Sequence, residues 1–197
     1  NDREIVLEAI KHGKRTHETD AELDLHAAQA LPPAVLHFAS GALQDDREIV
    51  MAAVKQDGRS LQFASEALRN DHEIVMEAVK DYGNALYFAS PALQNDREVV
   101  LEAVKQDGYA VGFASAALQD DRDVVLEAIK QDGWALDFAS PALKNNREIV
   151  LEAIKKNGGA LVYASPALKN DREIVLEAVK QRAVSYTHLT LPTTDRV

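Results

Sequence analysis

The sequence repeats itself every 25 residues, and this period constrains the fold more than any other feature. Residues 95–119 read NDREVVLEAVKQDGYAVGFASAALQ, and residues 120–144 read DDRDVVLEAIKQDGWALDFASPALK. Residues 70–94 are similar again, with NDHEIVMEAVKDYGNALYFASPALQ. Self-similarity at a fixed period of this length is typical of a solenoid, in which each repeat packs on its neighbours.

The register of this repeat divides the chain into four parts. Residues 1–19 are a degenerate partial repeat, and residues 20–169 hold six units of 25 residues. The first half of the unit at 20–44 is eroded, and Pro33 stands where the later units carry glycine. A partial repeat covers 170–182, and residues 183–197 lie outside the pattern. Because the chain begins inside a repeat and without methionine, we expect it to be a fragment of a larger protein.

Each unit contains the signals of two helical segments. In the unit at 95–119, Asn95 and Glu98 have the spacing of a capping box, which predicts that Asn95 caps the first helix. The apolar residues between Val99 and Val104 form a stripe suited to a helix of about three turns. Gly108 then predicts the end of that helix. The capping pair recurs at Asn70/Glu73 and Asn170/Glu173, and the glycine recurs at Gly58, Gly83, Gly133 and Gly158.

A second, shorter helical segment follows each glycine. Ser140 before Pro141 predicts a serine N-cap with proline at the first helical position, so that residues 141–143 form a single turn. No stretch alternates apolar and polar residues with a period of two, which indicates that the chain forms no strands. The predicted fold class is therefore an all-α solenoid. Two rows are predicted to lie in its core: Phe38, Phe63, Phe88, Phe113, Phe138 and Tyr163, and Leu43, Leu68, Leu93, Leu118, Leu143 and Leu168.

The repeated motif D-R-E-I-V-x-E-A-[VI]-K-x-x-G-x-A-L-x-[FY]-A-S-P-A-L resembles the DUF4116 repeat family, whose function is unknown. The likeness covers about residues 1–182, and the motif recurs at least five times. It implies tandem helical repeats, with no established activity and no catalytic residues to transfer to this chain. The segment SYTHLTLPTT near the C-terminus is instead similar to translated adaptor or vector sequence, so we expect residues 183–197 not to be native.

Composition weighs against several classes of partner. The chain of 197 residues carries a formal net charge of -10, which is unfavourable for nonspecific binding to nucleic acid. No apolar run approaches the ~20 residues that a membrane-spanning helix needs. The absence of cysteine excludes thiolate metal sites and fits a reducing, intracellular compartment such as the cytoplasm. We therefore expect neither a nucleic-acid partner nor a membrane partner.

The repeated polar residues match no catalytic or metal-binding motif. No acids or histidines are spaced as in an EF-hand loop or an HExxH motif, so we expect no metal ion and no cofactor. Helix capping accounts for acidic pairs such as Asp45–Asp46. A serine that occurs in every unit is assigned to capping rather than to nucleophilic catalysis, and we expect no enzymatic activity from this chain. These serines are Ser40, Ser65, Ser90, Ser115, Ser140 and Ser165.

An arginine row lies beside an acidic row at the start of the first segment. One interpretation is a solvated network of ion pairs, in which each pair contributes little stability. The alternative is a stripe that binds anions. The arginines are Arg47, Arg97, Arg122, Arg147 and Arg172, the acids are Glu48, Glu98, Asp123, Glu148 and Glu173, and His72 interrupts the arginine row.

Two positions of the repeat vary freely from unit to unit, whereas most of the others hardly vary. They lie three residues apart, so on a helical second segment they share a face. Tyrosine occurs at both positions and tryptophan at the first, and both residue types are favoured in binding hot spots. The first position holds Ala34, Arg59, Asn84, Tyr109, Trp134 and Gly159, and the second holds His37, Gln62, Tyr87, Gly112, Asp137 and Val162.

These varied side chains lead to a functional hypothesis. Diversified residues on a constant scaffold are how solenoids form recognition surfaces, so we expect a non-catalytic scaffold that binds a protein partner. In the unit at 95–119, only Tyr109 and Gly112 lack an evident structural role. The alternatives are drift at exposed sites in a structural spacer or self-associating arm, and an accessory region of an enzyme whose catalytic part lies elsewhere. The candidate interaction face comprises Arg59, Gln62, Asn84, Tyr87, Tyr109, Trp134 and Asp137.

Overall fold

The computed structural model describes residues 33–190, together with Glu4 and Leu7, and it describes side-chain environments as far as residue 182. Apart from those two positions, the degenerate repeat predicted at 1–19 lies outside the described residues. The eroded half-unit at 20–32 and residues 191–197 lie outside them as well. All regular structure in the described part of the chain is helical, and no strand occurs there, as the sequence predicts.

A complete repeat consists of a ten-residue α-helix, a six-residue 3-10 helix and a short helical turn. The predicted second segment is thus helical but tighter than an α-helix, with about three residues per turn. The α-helices are α1 (Gly41–Gln44), α2 (Arg47–Gln56), α3 (His72–Asp81), α4 (Pro91–Gln94), α5 (Arg97–Gln106), α6 (Ala116–Gln119), α7 (Arg122–Gln131), α8 (Pro141–Lys144), α9 (Arg147–Lys156), α10 (Pro166–Lys169) and α11 (Arg172–Thr190). The 3-10 helices are Pro33–Phe38, Gly58–Phe63, Leu68–Asn70, Gly83–Phe88, Gly108–Phe113, Gly133–Phe138 and Gly158–Tyr163.

The repeats are grouped in two compact units, Asn1–Gln106 and Asp107–Val197. In the first unit α2, α3 and α5 pack in chain order, and the 3-10 helices pack in a parallel row beside them. The second unit is built in the same way from α7, α9 and α11. Within the units, four of the 3-10 helices (Gly58–Phe63, Gly83–Phe88, Gly133–Phe138 and Gly158–Tyr163) bridge two long helices: Gly133–Phe138, for example, packs on α7 of its own repeat and on α9 of the next. This packing of each repeat on its neighbours is that of a solenoid.

The apolar stripe of the long helices forms the core. On α3, Ile74, Val75, Ala78 and Val79 are fully buried, and the four equivalent residues of α2, α5, α7 and α9 are buried as well. Burial of each valine or isoleucine stabilises the fold by about 1.5–3 kcal/mol. The leucine row is mostly part of this core as predicted: Leu68, Leu93, Leu118 and Leu143 are buried, and Leu43 and Leu168 are half-buried.

The aromatic row lies at the edge of the core, so the prediction that it fills the core is wrong. Phe38 is 82% exposed, and the other five members are half-buried. In five of the six-residue 3-10 helices, the large apolar residue two positions before the aromatic one is fully buried, and in the sixth Leu161 is half-buried. With three residues per turn, two side chains that are two positions apart point about 120° away from each other, so only one of them faces inward. The residues that face inward are Leu36, Leu61, Leu86, Val111 and Leu136.

The long helices are capped one residue later than the capping-box pattern predicts. The Asp71 carboxylate caps α3 by accepting hydrogen bonds from the backbone N–H groups of Glu73, at 3.0 Å, and Ile74, at 3.1 Å. The side-chain oxygen of Asn70 instead accepts a hydrogen bond from the hydroxyl of Ser90 in the next repeat, at 2.5 Å. The sequence offers two adjacent Asx residues, and either one has a side chain suited to capping the helix. The prediction is wrong because the first of them bonds to the neighbouring repeat, so the second caps the helix. The equivalent caps are Asp46, Asp96, Asp121, Asn146 and Asp171.

Five of the six serines cap the short helical turns as predicted, whereas Ser40 makes no cap hydrogen bond, and the capping serines also join adjacent repeats. Ser140 accepts a hydrogen bond from the backbone N–H of Leu143 at 3.2 Å, with Pro141 at the start of α8. Its own N–H donates to the carbonyl of Gln119 at 3.0 Å, and its hydroxyl donates to Asp120. One serine therefore satisfies polar groups in two repeats, which explains why it recurs.

The glycines do not end the long helices in the way the sequence predicts. The residue after α7 is Asp132, in an extended conformation with φ -145° and ψ 126°, and Gly133 then opens the 3-10 helix. A Cβ atom at Gly133 would lie 2.5 Å from the carbonyl oxygen of Ala153 in the next repeat. The glycine is required because two backbones approach closely, rather than because the chain turns through a left-handed conformation.

The last helix, α11, departs from the repeat. It runs for 19 residues to Thr190, whereas its equivalents end after ten. Arg182 and Ala183 stand where most of the other repeats carry an Asx residue and glycine, so nothing in the local sequence ends the helix. The predicted end of the repeat at residue 182 and the proposed non-native origin of residues 183–197 both stay predictions.

Candidate interaction face on the 3-10 helices

The two varied positions are the second and fifth residues of each six-residue 3-10 helix. Residues three apart in a 3-10 helix are eclipsed, so each pair lies on one side of its helix, as the sequence predicts. We call these positions the variable face of each unit. In the first unit the face is Ala34, His37, Arg59, Gln62, Asn84 and Tyr87, and in the second unit it is Tyr109, Gly112, Trp134, Asp137, Gly159 and Val162.

Most side chains of the variable face are exposed. Tyr87, Tyr109 and Asp137 are exposed, whereas Asn84 and Trp134 are half-buried. Arg59 and Gln62 are also exposed. Every residue of the candidate interaction face thus reaches the surface at least in part, and whether any of them binds a partner stays a prediction.

In the first unit the variable face contains an arginine that is already paired. The Arg59 guanidinium donates to the Asp57 carboxylate, with its Nη2 2.6 Å from Oδ2. Burial raises the pKa of Asp57, but hydrogen bonds from the Arg59 side chain and backbone outweigh that effect, and the net pKa is below its ordinary value. The amide of Gln62 donates to the carbonyl of Arg59 at 3.0 Å. These bonds hold both side chains in defined positions on the surface.

In the second unit aromatic rings from adjacent repeats pack edge to face. The Tyr109 ring lies 5.9 Å from that of Phe138, and the Trp134 ring lies 5.6 Å from that of Tyr163, each pair with an interplanar angle of 77°. Such T-shaped pairs contribute about 0.5–1.5 kcal/mol beyond the burial of their area. Burial, together with the charge of Asp132 and a hydrogen bond to it, raises the pKa of Tyr109. The aromatic residues of this face are therefore held by their neighbours.

The two glycines of the face have a packing role that the sequence does not reveal. A Cβ atom at Gly112 would lie 2.7 Å from Cδ1 of Phe138, and one at Gly159 would lie 2.9 Å from Cη2 of Trp134. The interpretation that Gly112 has no structural role is therefore wrong. In both cases a large ring in one repeat lies over a glycine in the adjacent repeat. The absence of a side chain on the glycine leaves the space that the ring occupies.

Side-chain hydrogen bonds to the backbone of the 3-10 helices come from a repeat position that the sequence pattern alone did not single out. In four repeats the last residue of the short helix donates hydrogen bonds to carbonyl groups of the 3-10 helix seven or eight positions earlier, and these residues are Gln44, Gln94, Gln119 and Lys144. Gln94 donates to the carbonyls of Leu86, at 3.2 Å, and Tyr87, at 3.3 Å. Lys144 donates to the carbonyl of Asp137 at 2.5 Å. The recurrence of long polar side chains at Gln44, Arg69, Gln94, Gln119, Lys144 and Lys169 was the available signal.

The arginine and acidic rows form ion pairs between repeats. Arg47 pairs with Asp71 at 2.9 Å and also with Glu73, and Arg122 pairs with Glu148 at 2.9 Å. Hydrogen bonds to Asp71 and Glu73 raise the pKa of Arg47 above its ordinary value. This geometry agrees with the interpretation of the rows as an ion-pair network. Because these arginines already contact carboxylates, the geometry gives no support to the alternative of an anion-binding stripe.

Among the described residues, no group of three or more histidine or acidic side chains could hold a metal ion. None of the helices in this part of the chain combines the length and apolar character required to cross a membrane.

Comparison with models of known protein families identifies the family to which the repeat belongs. The model of the family described as Domain of unknown function (DUF4116) matches six overlapping segments, at residues 31–69, 46–94, 71–119, 96–144, 121–169 and 146–191. The chain belongs to the DUF4116 family. The family match spans residues 31–191, whereas the sequence motif predicted a likeness over about residues 1–182. The match therefore includes residues 183–191, which do not follow the repeated motif. No curated protein and no solved structure matches the chain.

Proposed function

We propose that this DUF4116 chain is a non-catalytic scaffold whose variable face binds a protein partner. The observation that carries the proposal is in the second unit. There the side chains that differ between repeats are positioned by contacts with their neighbours, namely the edge-to-face ring pairs of Tyr109 and Trp134 and the ion pair between Asp137 and Lys144. Side chains that are already ordered lose less conformational entropy on binding, which favours recognition.

The chemistry of the face suggests a protein rather than a nucleic acid. Tyr109 and Trp134 offer ring surface with a polar tip, which is the type of side chain enriched at the centres of protein interfaces. Asp137 adds an exposed acid, and the chain as a whole has a net charge of -10, which disfavours contact with phosphates. The repeated serines are engaged in capping, which supports a non-catalytic role.

The test compares the wild type with a double variant, Tyr109→Ala with Asp137→Arg. Trp134 is left unchanged because its half-buried ring packs both on Tyr163 and over Gly159, whereas Tyr109 packs on Phe138 but is exposed. Proteins captured from a lysate by the immobilised wild type are identified, and each is purified and titrated against both chains. If the face binds the partner, the double variant weakens binding at least tenfold, about 1.4 kcal/mol.

The matched control is Lys130→Ala, which removes an exposed charge of the same unit at a position of α7 that is not part of the variable face. This control is expected to bind as the wild type does. Equal affinity of the double variant and the wild type for every purified partner would overturn the proposal, provided that both chains give the same circular dichroism spectrum.

A further inference from the structure

The chain contains two methionines, Met51 and Met76, and both stand at the same position of the repeat, in α2 and α3. The later long helices carry leucine at this position in every case. Leucine and methionine replace each other in protein interiors at little cost, so the fold requires an apolar side chain of this size rather than methionine itself. The thioether sulfur therefore distinguishes α2 and α3 from the later long helices. The equivalent leucines are Leu101, Leu126, Leu151 and Leu176.

The repeat position of the methionines is only partly covered. Met51 and Met76 are half-buried, whereas the apolar stripe of the same two helices is buried. The helix of Met76 packs against α2 on one side and α5 on the other, so the partial exposure of Met76 does not arise from an end of the array. In the second unit Leu151, in the helix between α7 and α11, is half-buried in the same way. Partial exposure is therefore a property of the position itself.

The two methionines lie on adjoining faces of neighbouring helices. Arg47 precedes Met51 by four residues, and Glu73 precedes Met76 by three. Residues three or four apart share a face of an α-helix, so each charged residue lies about one turn before the methionine on its own helix. Arg47 and Glu73 form an ion pair, which shows that these two faces meet. The methionines follow one turn later along the same line of contact.

The second unit shows the same arrangement with leucines in place of methionines. Leu151 and Leu176 line one open groove between α9 and α11. Arg147 and Glu173 line it as well, and they form the ion pair of this junction. By the repeat, the two methionines occupy the corresponding surface between α2 and α3, where molecules dissolved in water can reach both sulfurs.

A methionine thioether that solvent reaches can be oxidised by a hydroperoxide. With hydrogen peroxide, the sulfur attacks one oxygen and the O–O bond breaks. The transferred oxygen gives its proton to the departing hydroxide, which leaves as water. The sulfur is oxidised by two electrons to a sulfoxide, and the peroxide is reduced. The sulfoxide is polar and chiral and disrupts apolar contacts, and reductases convert it back to the thioether.

We propose that Met51 and Met76 form a reversible oxidation site at the partly exposed edge of the contact between α2 and α3. A hydroperoxide oxidises both thioethers while the chain is folded, and the two sulfoxides weaken the packing of α2 on α3 in the first unit. The later long helices carry leucine at this position, which does not undergo the reaction. The site does not depend on partner binding by the variable face, so the two proposals can fail separately.

Hydrogen peroxide is added to the full chain, both folded and unfolded in urea, and peptide mapping by mass spectrometry follows the uptake of oxygen. Each methionine of the folded chain is expected to gain one oxygen atom, less than about tenfold more slowly than in urea, because exposure governs susceptibility. The melting temperature of the oxidised chain is expected to fall by about 2–4 °C, the shift for a modest loss of stability at this chain length. Reductases for both sulfoxide epimers should restore it.

Met51→Leu with Met76→Leu is the matched variant, because it places the residue of the later repeats at both positions. This double variant is expected to fold as the wild type does and to keep its melting temperature after treatment with peroxide. Tyr87→Met in the same background is a second control, since Tyr87 lies in the first unit and is 61% exposed. The added methionine should be oxidised without a shift in melting temperature, because its sulfoxide would lie in solvent.

Four results would overturn the proposal. Oxidation of the folded chain that is more than about tenfold slower than in urea would show that the sulfurs are protected. An unchanged melting temperature after both sulfoxides have formed would show that the packing tolerates them. An equal shift in the double leucine variant would assign the effect of peroxide to another residue. A melting temperature that stays low after the sulfoxides have been reduced would show that the loss has a different cause.

Discussion

At the scale of single residues, close approach of two backbones explains why glycine recurs in the repeat. Cβ atoms built at Gly58, Gly108, Gly133 and Gly158 would lie 2.3, 2.6, 2.5 and 2.5 Å from carbonyl oxygens of the next repeat. Real Cβ atoms do not approach a backbone oxygen so closely, so the long helix of the next repeat would have to move away. The carbonyls belong to Ala78, Ala128, Ala153 and Ala178.

We predict that Gly133→Ala destabilises the fold by about 1–3 kcal/mol, the usual cost of overpacking in a close-packed interior. Gly41→Ala is the matched control, because nothing lies within 4 Å of the added Cβ atom. Urea denaturation followed by circular dichroism measures both. A loss of stability in Gly133→Ala no greater than in Gly41→Ala would contradict this account of the glycine.

Gly112→Ala should be milder than Gly133→Ala, since the added methyl group meets the ring of Phe138 rather than a backbone atom. A side chain can rotate away, whereas the backbone of a packed helix cannot. The same urea experiment is expected to place the loss between those of Gly41→Ala and Gly133→Ala. A loss larger than that of Gly133→Ala would show that the ring has no room to move.

At the scale of the helix, the N-cap joins two repeats electrostatically. Asp71 caps α3 and also accepts a hydrogen bond from Arg47 of the preceding repeat, at 2.9 Å. Burial raises the pKa of Asp71, but the bonds from Arg47 and from the backbone N–H groups of Ile74 and Glu73 outweigh it, so the pKa is lowered overall. Asn146 caps α9 in the same geometry without a charge, so the charge is not required for capping itself.

We predict that Asp71→Asn reduces stability at neutral pH but not in acid. A carboxyl group whose pKa is lowered in the folded state stabilises the fold fully above its unfolded value of about 3.9, and this contribution is lost as the pH falls through the folded value. The amide retains the cap and removes the charge. Urea denaturation at pH 7 and at successively lower pH values should show the two chains converging below about pH 4. A difference that is independent of pH would contradict the role assigned to the charge.

At the scale of the whole molecule, stability arises from contacts between adjacent repeats. Within each unit the main contacts between long helices follow chain order, and two 3-10 helices of each unit bridge consecutive long helices. In such an array the free energy of unfolding is approximately a sum of terms from each repeat and each junction. Removal of one complete repeat should therefore leave the remaining junctions intact.

We predict that deletion of residues 70–94, one period of 25, leaves a folded chain with the same circular dichroism per residue and a lower melting temperature. The deletion joins Arg69 to Asn95, so a short helix is still followed by a capped long helix. Deletion of residues 83–94 is the control: it removes half a repeat and leaves α3 without its 3-10 helix. Equal loss of helical signal per residue in the two deletions would contradict a modular array.

The sequence by itself determined the features that depend on local conformation. The period, the all-α class, the three-turn length of the long helices and five of the six serine caps are present as predicted, because each depends on residues close together in the chain. The position of the aspartate cap was missed by one residue. Two adjacent Asx residues are locally equivalent, and only contact with Ser90 of the next repeat distinguishes Asn70 from Asp71.

Tertiary structure alone decided the features that depend on the neighbouring repeat. The burial of Leu136 rather than Phe138 follows from which side of the 3-10 helix meets the next long helix. The requirement for glycine at Gly133 follows from the carbonyl of Ala153, which is 20 positions away in the chain. The pairing of Trp134 with Gly159 likewise joins residues a full period apart. A repeat pattern identifies equivalent positions, but the distance between atoms in adjacent repeats exists only in the folded chain.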